Sequence, residues 1–319
     1  KAVSSMEKLR SAVIGIGATG TVLAAALLNN NPETALVGHR PELKDKVLQE
    51  GITVSGTLNY NQPVTHFFNH VADLKGYKPE VVFIASKTFH LPDILKELQE
   101  IFVPGMKIVS THNGLGTEDV LADVFGPEAV FRMSLNYGAS VQGPGEVSTA
   151  FFNPPNPLGG LVFENQEIGS RIAASLSAGG LDTDYVEDIK LHVWKKMIMK
   201  CTMASICAVT DKTIKEALDF APTREIADGC FQEALAISKA KGYDLGQEYL
   251  QTALAYLEKV GTHKDSMCVD IANKTQTEID FLGGKVVEYG KELGIPTPYY
   301  TTMTNLVKAL ESNYLGTIS

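Results

Sequence analysis

The chain has 319 residues, 44% of them hydrophobic and 20% charged, which is length enough for two separate cores. A net charge of −9 with no lysine/arginine run argues against nucleic acid or an anionic membrane as the main partner, and leaves room for a local basic pocket around a small anion. The longest apolar stretches, Val22–Leu28 and Val81–Ala85, fall far short of the roughly 20 residues that span a bilayer.

Residues Lys1–Lys8 carry charge at both ends with no apolar stretch between, and read as a disordered leader, in part an engineered remnant, not as a secretory signal. The first element is the run Ala12-Val13-Ile14, followed by Gly15-x-Gly17-x-x-Gly20 and an Ala/Leu-rich helix former to Leu28: strand, tight turn, helix start. Gly15 suits the turn, Gly17 lets backbone approach a pyrophosphate, and Gly20 lets helix pack on strand. The helix N-terminus at Ala18 and Thr19 then offers free N–H groups and a positive dipole to that phosphate.

Asn29–Glu33 stops this helix, and Thr34–Val37 reads as the second strand, with Arg40 about twenty residues beyond the glycines. An acidic residue there would hold a ribose 2′-hydroxyl; an arginine pairs with a 2′-phosphate, so Arg40 points to NADP, while the nearby Glu42 leaves NAD as the alternative. A short helix over Lys44–Glu50 and strands at Gly51–Gly56 and Val64–Phe68 follow. Glu80–Ala85 reads as a strand buried on both faces, delivering Ser86-Lys87-Thr88 to the sheet's carboxyl edge. His90–Val103 is a helix, Lys107–Thr111 a strand, and His112–Thr117 a second glycine-bearing loop carrying Asn113 to the same edge. Beyond a helix ending at Phe125, Val130–Ser140, Glu146–Thr149 and Leu161–Glu164 read as the sheet's far strands, Gly169–Ala178 as the last helix of the domain and Asp182–Val186 as its last strand.

This alternation predicts an α/β, doubly wound parallel sheet over residues 1–186, with an all-helical second domain over 187–319. There the helices are Asp188–Thr210, Lys212–Asp219, Arg224–Lys241, Gly246–Val260, Cys268–Leu293 and Tyr299–Ser312. The first places Trp194, Met197, Ile198, Cys201 and Ala208 on an apolar stripe, and stacks Lys196 and Lys200 one turn apart on one face. Two ammonium groups so placed call for a carboxylate or a ligand, unless they snorkel to solvent. Asp265 or Ser266 is the expected N-cap of the Cys268–Leu293 helix, on which Glu278 and Asp280 fall on different faces. Cys201, Cys207, Cys230 and Cys268 sit at no metal-ligand spacing, so reduced core thiols, a cytoplasmic setting and no metal are expected.

The glycine turn, Ser86-Lys87-Thr88, His112-Asn113-Gly114-Leu115-Gly116, Trp194-x-Lys196, Ser266-Met267, Thr277-Glu278-Ile279-Asp280 with Gly284, and Gly294-Ile295-Pro296-Thr297-Pro298 together resemble the ketopantoate reductase (2-dehydropantoate 2-reductase) family, in order and over nearly the whole chain. The resemblance implies a Rossmann-type domain and a helical domain with an interdomain cleft, in which NADPH reduces a 2-oxo acid, by default 2-dehydropantoate, to the (R)-2-hydroxy acid. It implies Lys196 as general acid, Glu278 as its partner near the substrate hydroxyl, Ser266 at the substrate carboxylate, Lys87 and Asn113 beside cofactor and substrate, and a homodimer through the helical domain.

The chain departs from the family pattern where an asparagine that contacts substrate is usual and Lys200 stands, at Ala204 where a second asparagine is common, and at Ser205 in place of a proline. Lys200 is therefore expected in the substrate pocket, either facing a second anionic group or closing a smaller pocket. Two alternatives follow: an NAD-dependent (R)-2-hydroxy acid dehydrogenase for branched or aromatic 2-oxo acids, and a nucleotide-binding regulator without catalysis. Retention of Lys196 together with Glu278 speaks against the regulator.

Overall fold

The computed structural model describes residues 8–316; the leader expected over Lys1–Lys8 lies, up to residue 7, outside them. The chain divides into two compact units, one running to Asn113 and resuming over Thr117–Ile189, the other made of Gly114–Gly116 and the chain from Lys190 onward.

The first unit contains strands β1 (Ser11–Ile14), β2 (Ala35–Val37), β3 (Ile52–Gly56), β4 (Tyr60–Gln62), β5 (His66–Phe68), β6 (Val81–Ile84), β7 (Lys107–Ser110), β8 (Val130–Met133), β9 (Tyr137–Gly143), β10 (Glu146–Phe152), β11 (Asn156–Gly160) and β12 (Thr183–Tyr185). Its helices are α1 (Ala18–Asn30), α2 (Pro41–Glu50), α3 (Leu74–Tyr77), α4 (Leu91–Ile101), α5 (Thr117–Phe125) and α6 (Gln166–Ala178). An eight-stranded sheet has the order β12-β11-β8-β7-β6-β1-β2-β5, parallel throughout except where β11 runs antiparallel to β8. Every residue of β1, β2 and β6 is buried, as central strands of a sheet covered on both faces require. This is the expected doubly wound α/β architecture.

The chain also builds a second sheet, β4-β3-β10-β9, that no local pattern separates from the first. The expected single strand over Val130–Ser140 is two, β8 in the large sheet and β9 in the small one, with the chain changing sheets at Ser134–Asn136. Residues Gly20–Leu28 of α1 are buried without a break, because the helix is packed by β3, β4, β9 and β10 and by α6. A helix apolar all round is one enclosed on all sides. The strand expected at Leu161–Glu164 lies instead at Asn156–Gly160, and Phe163–Asn165 is a 3-10 turn with Phe163 80% exposed. Pro155, Pro157, Gly159 and Gly160 mark the segment as loop in sequence. Its buried backbone nonetheless pairs on both sides, Leu158 with Met133 and Asn156 with Thr183.

In the second unit the helices are α7 (Ile189–Thr210, starting at the unit boundary), α8 (Ile214–Asp219), α9 (Ala221–Ala240), α10 (Gly246–Val260), α11 (Ser266–Ala272), α12 (Gly283–Leu293) and α13 (Pro298–Leu315), with no strand among the described residues. The single helix expected over Cys268–Leu293 is broken: α11 ends at Ala272, Lys274 takes a left-handed φ of 55°, and a 3-10 turn at Ile279–Phe281 precedes α12. Glu278 therefore stands in the connection, as the residue before that turn, and its relation to Asp280 is not that of two helix faces. The stripe Trp194, Met197, Ile198, Cys201 and Ala208 is buried, and all four cysteines are buried and free. Among the described residues no helix is long and apolar enough to cross a membrane.

Candidate functional site

Four loops at the carboxyl ends of adjacent parallel strands β2, β1, β6 and β7 carry Arg40, the glycine turn, Lys87 and Asn113. Their collection along one edge follows from strand order alone, since each strand exits toward the same side. Gly15 has φ +96°, and a Cβ on it would lie 2.6 Å from the Ser86 nitrogen; a Cβ on Gly20 would lie 1.8 Å from the Gly15 carbonyl oxygen. Both positions demand glycine for backbone contact within the protein. Gly17 differs: a Cβ there meets nothing within 4 Å, and the residue is the N-cap of α1 with no side-chain cap. The amides of Ala18, Thr19 and Gly20 form the helix's first turn, which carries no acidic residue, and such amides have no partner inside the helix. Open space, free donors and the dipole together suit a pyrophosphate. The Tyr137 hydroxyl, donating to the Thr19 carbonyl at 2.8 Å, pins the turn from the second sheet.

Arg40 is exposed, with an extended backbone, as the N-cap of α2, whose first residue is Pro41. Its approach is fixed by Gly38, whose N–H donates to the Phe68 carbonyl at 3.0 Å and whose carbonyl accepts from Asn69 Nδ2 at 2.8 Å. His39 beside it packs on His90, ring centroids 6.1 Å apart. Lys87 is exposed just beyond β6, and Asn113 is half-buried beyond β7.

A buried polar network sets the backbone that leads to Asn113. Arg132, 1% exposed on β8, donates to Glu118 Oε2 at 2.8 Å and to the His112 carbonyl at 2.6 Å. The Ser110 hydroxyl lies 2.8 Å from His112 Nδ1 and 2.7 Å from the Thr117 hydroxyl. Burial, and after it the Arg132 charge, push the His112 imidazole down to about 3, so it stays neutral near pH 7. It is thus a structural group, not a proton carrier.

In the second unit, α7 presents Lys196 and Lys200 one turn apart, both half-buried. The Tyr249 hydroxyl of α10 donates to the Lys195 carbonyl, fastening the helix next to Lys196. Asp265 is the N-cap of α11: its Oδ1 accepts from the Met267 N–H at 2.8 Å. Its Oδ2 meets Lys200 Nζ at 2.7 Å, and the same ammonium donates to Ser266 Oγ at 2.8 Å. Burial works against the Lys200 charge, but the Asp265 carboxylate, with Glu278 and Asp270 behind it, outweighs that and holds its pKa above the ordinary lysine value. So Lys200 neither snorkels to solvent nor stands as an unmatched cation. The Glu278 charge also acts on Lys200, which contacts Asp265 and Ser266 directly, with Lys196 one helical turn away. The pairing of Lys200 with a carboxylate 65 positions along the chain has no local signal; Asp265 is legible only as a cap. Among the described residues no group of three or more His, Cys, Asp or Glu could hold a metal ion.

The two descriptions "Ketopantoate reductase PanE/ApbA" and "Ketopantoate reductase PanE/ApbA C terminal" match residues 11–155 and 188–311. The chain belongs to the ketopantoate reductase family. As a member it is an oxidoreductase acting on CH–OH groups with a nicotinamide dinucleotide, and the two matches fall on the α/β and the helical part respectively. Among its ketopantoate reductase relatives, the 2-dehydropantoate 2-reductase of Streptococcus pyogenes serotype M1 is 27% identical over 303 residues, 94% of this chain and 97% of that one. The enzyme of that name from Pyrococcus abyssi (strain GE5 / Orsay) is 25% identical over 304 residues, 94% and 97% of the two chains. Solved structures share the fold: D-mandelate dehydrogenase with NADH and anilino(oxo)acetate superposes with a TM-score of 0.86 at 21% identity, over 97% of this chain and 100% of that one. The 2-dehydropantoate 2-reductase from Geobacter metallireducens GS-15 gives 0.85 at 22% identity, over 94% and 99%.

Proposed function

We propose that the protein is an NADPH-dependent reductase that converts a 2-oxo acid, 2-dehydropantoate by default, to the (R)-2-hydroxy acid. The observation that carries this reading is that one chain holds both an open, capless α1 N-terminus at Gly17 and, in its helical unit, Lys200 bound to Ser266 with Lys196 one turn away, while its relatives over 94% of its length are 2-dehydropantoate 2-reductases. Bound NADPH supplies the hydride. The glycine turn and the amides of Ala18, Thr19 and Gly20 hold its pyrophosphate, Arg40 pairs with its 2′-phosphate, and Lys87 and Asn113 lie beside it and the substrate. Ser266 donates to the substrate carboxylate, and Lys196 donates to the keto oxygen. As that oxygen becomes an alkoxide, the ammonium stabilises the charge and gives up the proton, with Glu278 holding Lys196 in place and receiving the product hydroxyl.

The deciding experiment is steady-state oxidation of NADPH with 2-dehydropantoate, beside NADH and a panel of branched and aromatic 2-oxo acids. Fast turnover selective for NADPH is expected; no turnover of any 2-oxo acid with either nucleotide would sink the reading and favour a regulator. Better turnover of a branched or aromatic 2-oxo acid with NADH would favour the (R)-2-hydroxy acid dehydrogenase.

Two variants test the cofactor groups separately. Gly17→Asp adds a good N-cap, so thermal stability is expected to hold or rise slightly. It also puts a carboxylate beside the proposed phosphate site, where like-charge repulsion would weaken NADPH by at least about a hundredfold. A Kd unchanged in fluorescence titration would mean that the pyrophosphate lies elsewhere. Arg40→Ala removes one charge-assisted contact of about 1.5–3 kcal/mol, so KM for NADPH should rise about tenfold to a hundredfold with KM for NADH unmoved. Equal effects on both nucleotides would take Arg40 away from the 2′-phosphate.

A further inference from the structure

We infer that Lys200 is a positioning residue that acts through Ser266, and that, matched by Asp265, it offers no receptor for a second anionic group on a 2-oxo acid substrate. The inference rests on the proposed role of Ser266 at the substrate carboxylate. An ammonium can only donate, so Ser266 Oγ, 2.8 Å from Lys200 Nζ, must accept from it. A hydroxyl carries a single proton, and that proton is then directed away from Lys200, to whatever acceptor approaches the exposed side of Ser266. Lys200 thereby occupies one of the two lone pairs of Ser266 and turns its proton outward, which favours donation to a carboxylate. A hydroxyl free to rotate would present a lone pair as readily as its proton.

The same geometry removes Lys200 as a receptor for a second anionic group. Its charge is matched at 2.7 Å by Asp265 Oδ2, and Asp265 is itself fixed, 7% exposed, with its other oxygen on the Met267 N–H. Two of the three ammonium N–H groups are thus engaged by Asp265 and Ser266. With the acids Glu278 and Asp270 also acting on that ammonium, a second carboxylate brought here meets carboxylates, not an unmatched cation. Dicarboxylic 2-oxo acids are disfavoured, and the position that the family usually gives to an asparagine becomes a clamp between α7 and the start of α11.

The test is a double-mutant cycle on Lys200→Met and Ser266→Ala, read twice. The first reading is calorimetric titration of NADP⁺-loaded enzyme with 2-dehydropantoate, a combination in which no hydride is available. The second is KM and kcat with NADPH. Each single variant is expected to weaken substrate binding about tenfold or more, the loss of one charge-assisted contact, with NADPH affinity unmoved. The double variant should be no weaker than Ser266→Ala alone, and Lys200→Arg should recover part of the loss. Lys200→Met/Asp265→Asn, which removes both charges at once, keeps the comparison readable if the single variant loses stability. Additive losses, or a Lys200→Met effect confined to 2-oxoglutarate and oxaloacetate, would overturn the inference and put Lys200 in direct contact with substrate. Binding without turnover in the unaltered protein would sink the proposed reaction, yet the calorimetric cycle would still decide the role of Lys200.

Discussion

Lys196→Met is expected to lower kcat for 2-dehydropantoate by about a thousandfold to ten-thousandfold, with the Kd for NADPH within about twofold of the unaltered protein. Hydride addition to a ketone builds a full negative charge on oxygen. One ammonium at that oxygen does two things, stabilising the charge and delivering the proton, and a thioether does neither. A single oxyanion donor is worth about a hundredfold to a thousandfold and a general acid about a hundredfold to ten-thousandfold; because both come from one group, the effects overlap and do not multiply. Lys196→Arg separates them, since guanidinium keeps the charge but holds its proton too tightly to release it, so it should restore part of kcat at most. Stopped-flow measurement of the hydride step reads this directly. Retention of kcat within about tenfold in Lys196→Met would move the acid elsewhere, and Lys200, one turn along α7, would be the next group to replace.

What the sequence discloses here is what short range determines. The glycine turn, the strand Val81–Ile84 and the buried stripe of α7 follow from residues within one or two turns of each other, and the structure forms each of them. The second sheet does not follow from such signals: β10 pairs with β3 in parallel, Val147 opposite Val54, and nothing near either strand identifies the other. Nor does the place where α11 stops. Asn273–Thr277 contains no glycine or proline, and its break depends on Lys274 accepting a left-handed backbone so that the Thr275 N–H can reach the Asp270 carbonyl at 2.9 Å. The same limit applies to the Lys200 cluster. Stacked lysines announce that a counter-charge is needed, but its identity, Asp265, is a product of tertiary packing.

Arg132→Met should cost about 3–5 kcal/mol of stability, the largest single loss expected in the first unit. Arg132 and Glu118 are 1% and 3% exposed and meet at 2.8 Å, so removing the guanidinium leaves a carboxylate in a medium that cannot solvate it. It also strands the His112 carbonyl and removes a donor from the Thr117 hydroxyl. For a unit of this size the loss corresponds to a fall in Tm on the order of 10 °C. Replacing both partners, Arg132→Met with Glu118→Leu, should recover much of it, because the uncompensated charge is gone and only the neutral contacts stay unmade. Function separates the two variants further. The Arg132 bond to the His112 carbonyl fixes the backbone one residue before Asn113, and no apolar pair replaces it. The double variant is therefore expected to regain most of the lost melting temperature while KM for 2-dehydropantoate stays raised by about tenfold, the value of one lost positioning contact. Scanning calorimetry gives the first quantity and steady-state kinetics the second. A single variant as stable as the unaltered protein would mean that water reaches Glu118, and a double variant normal in both measurements would free the Asn113 loop from any dependence on Arg132.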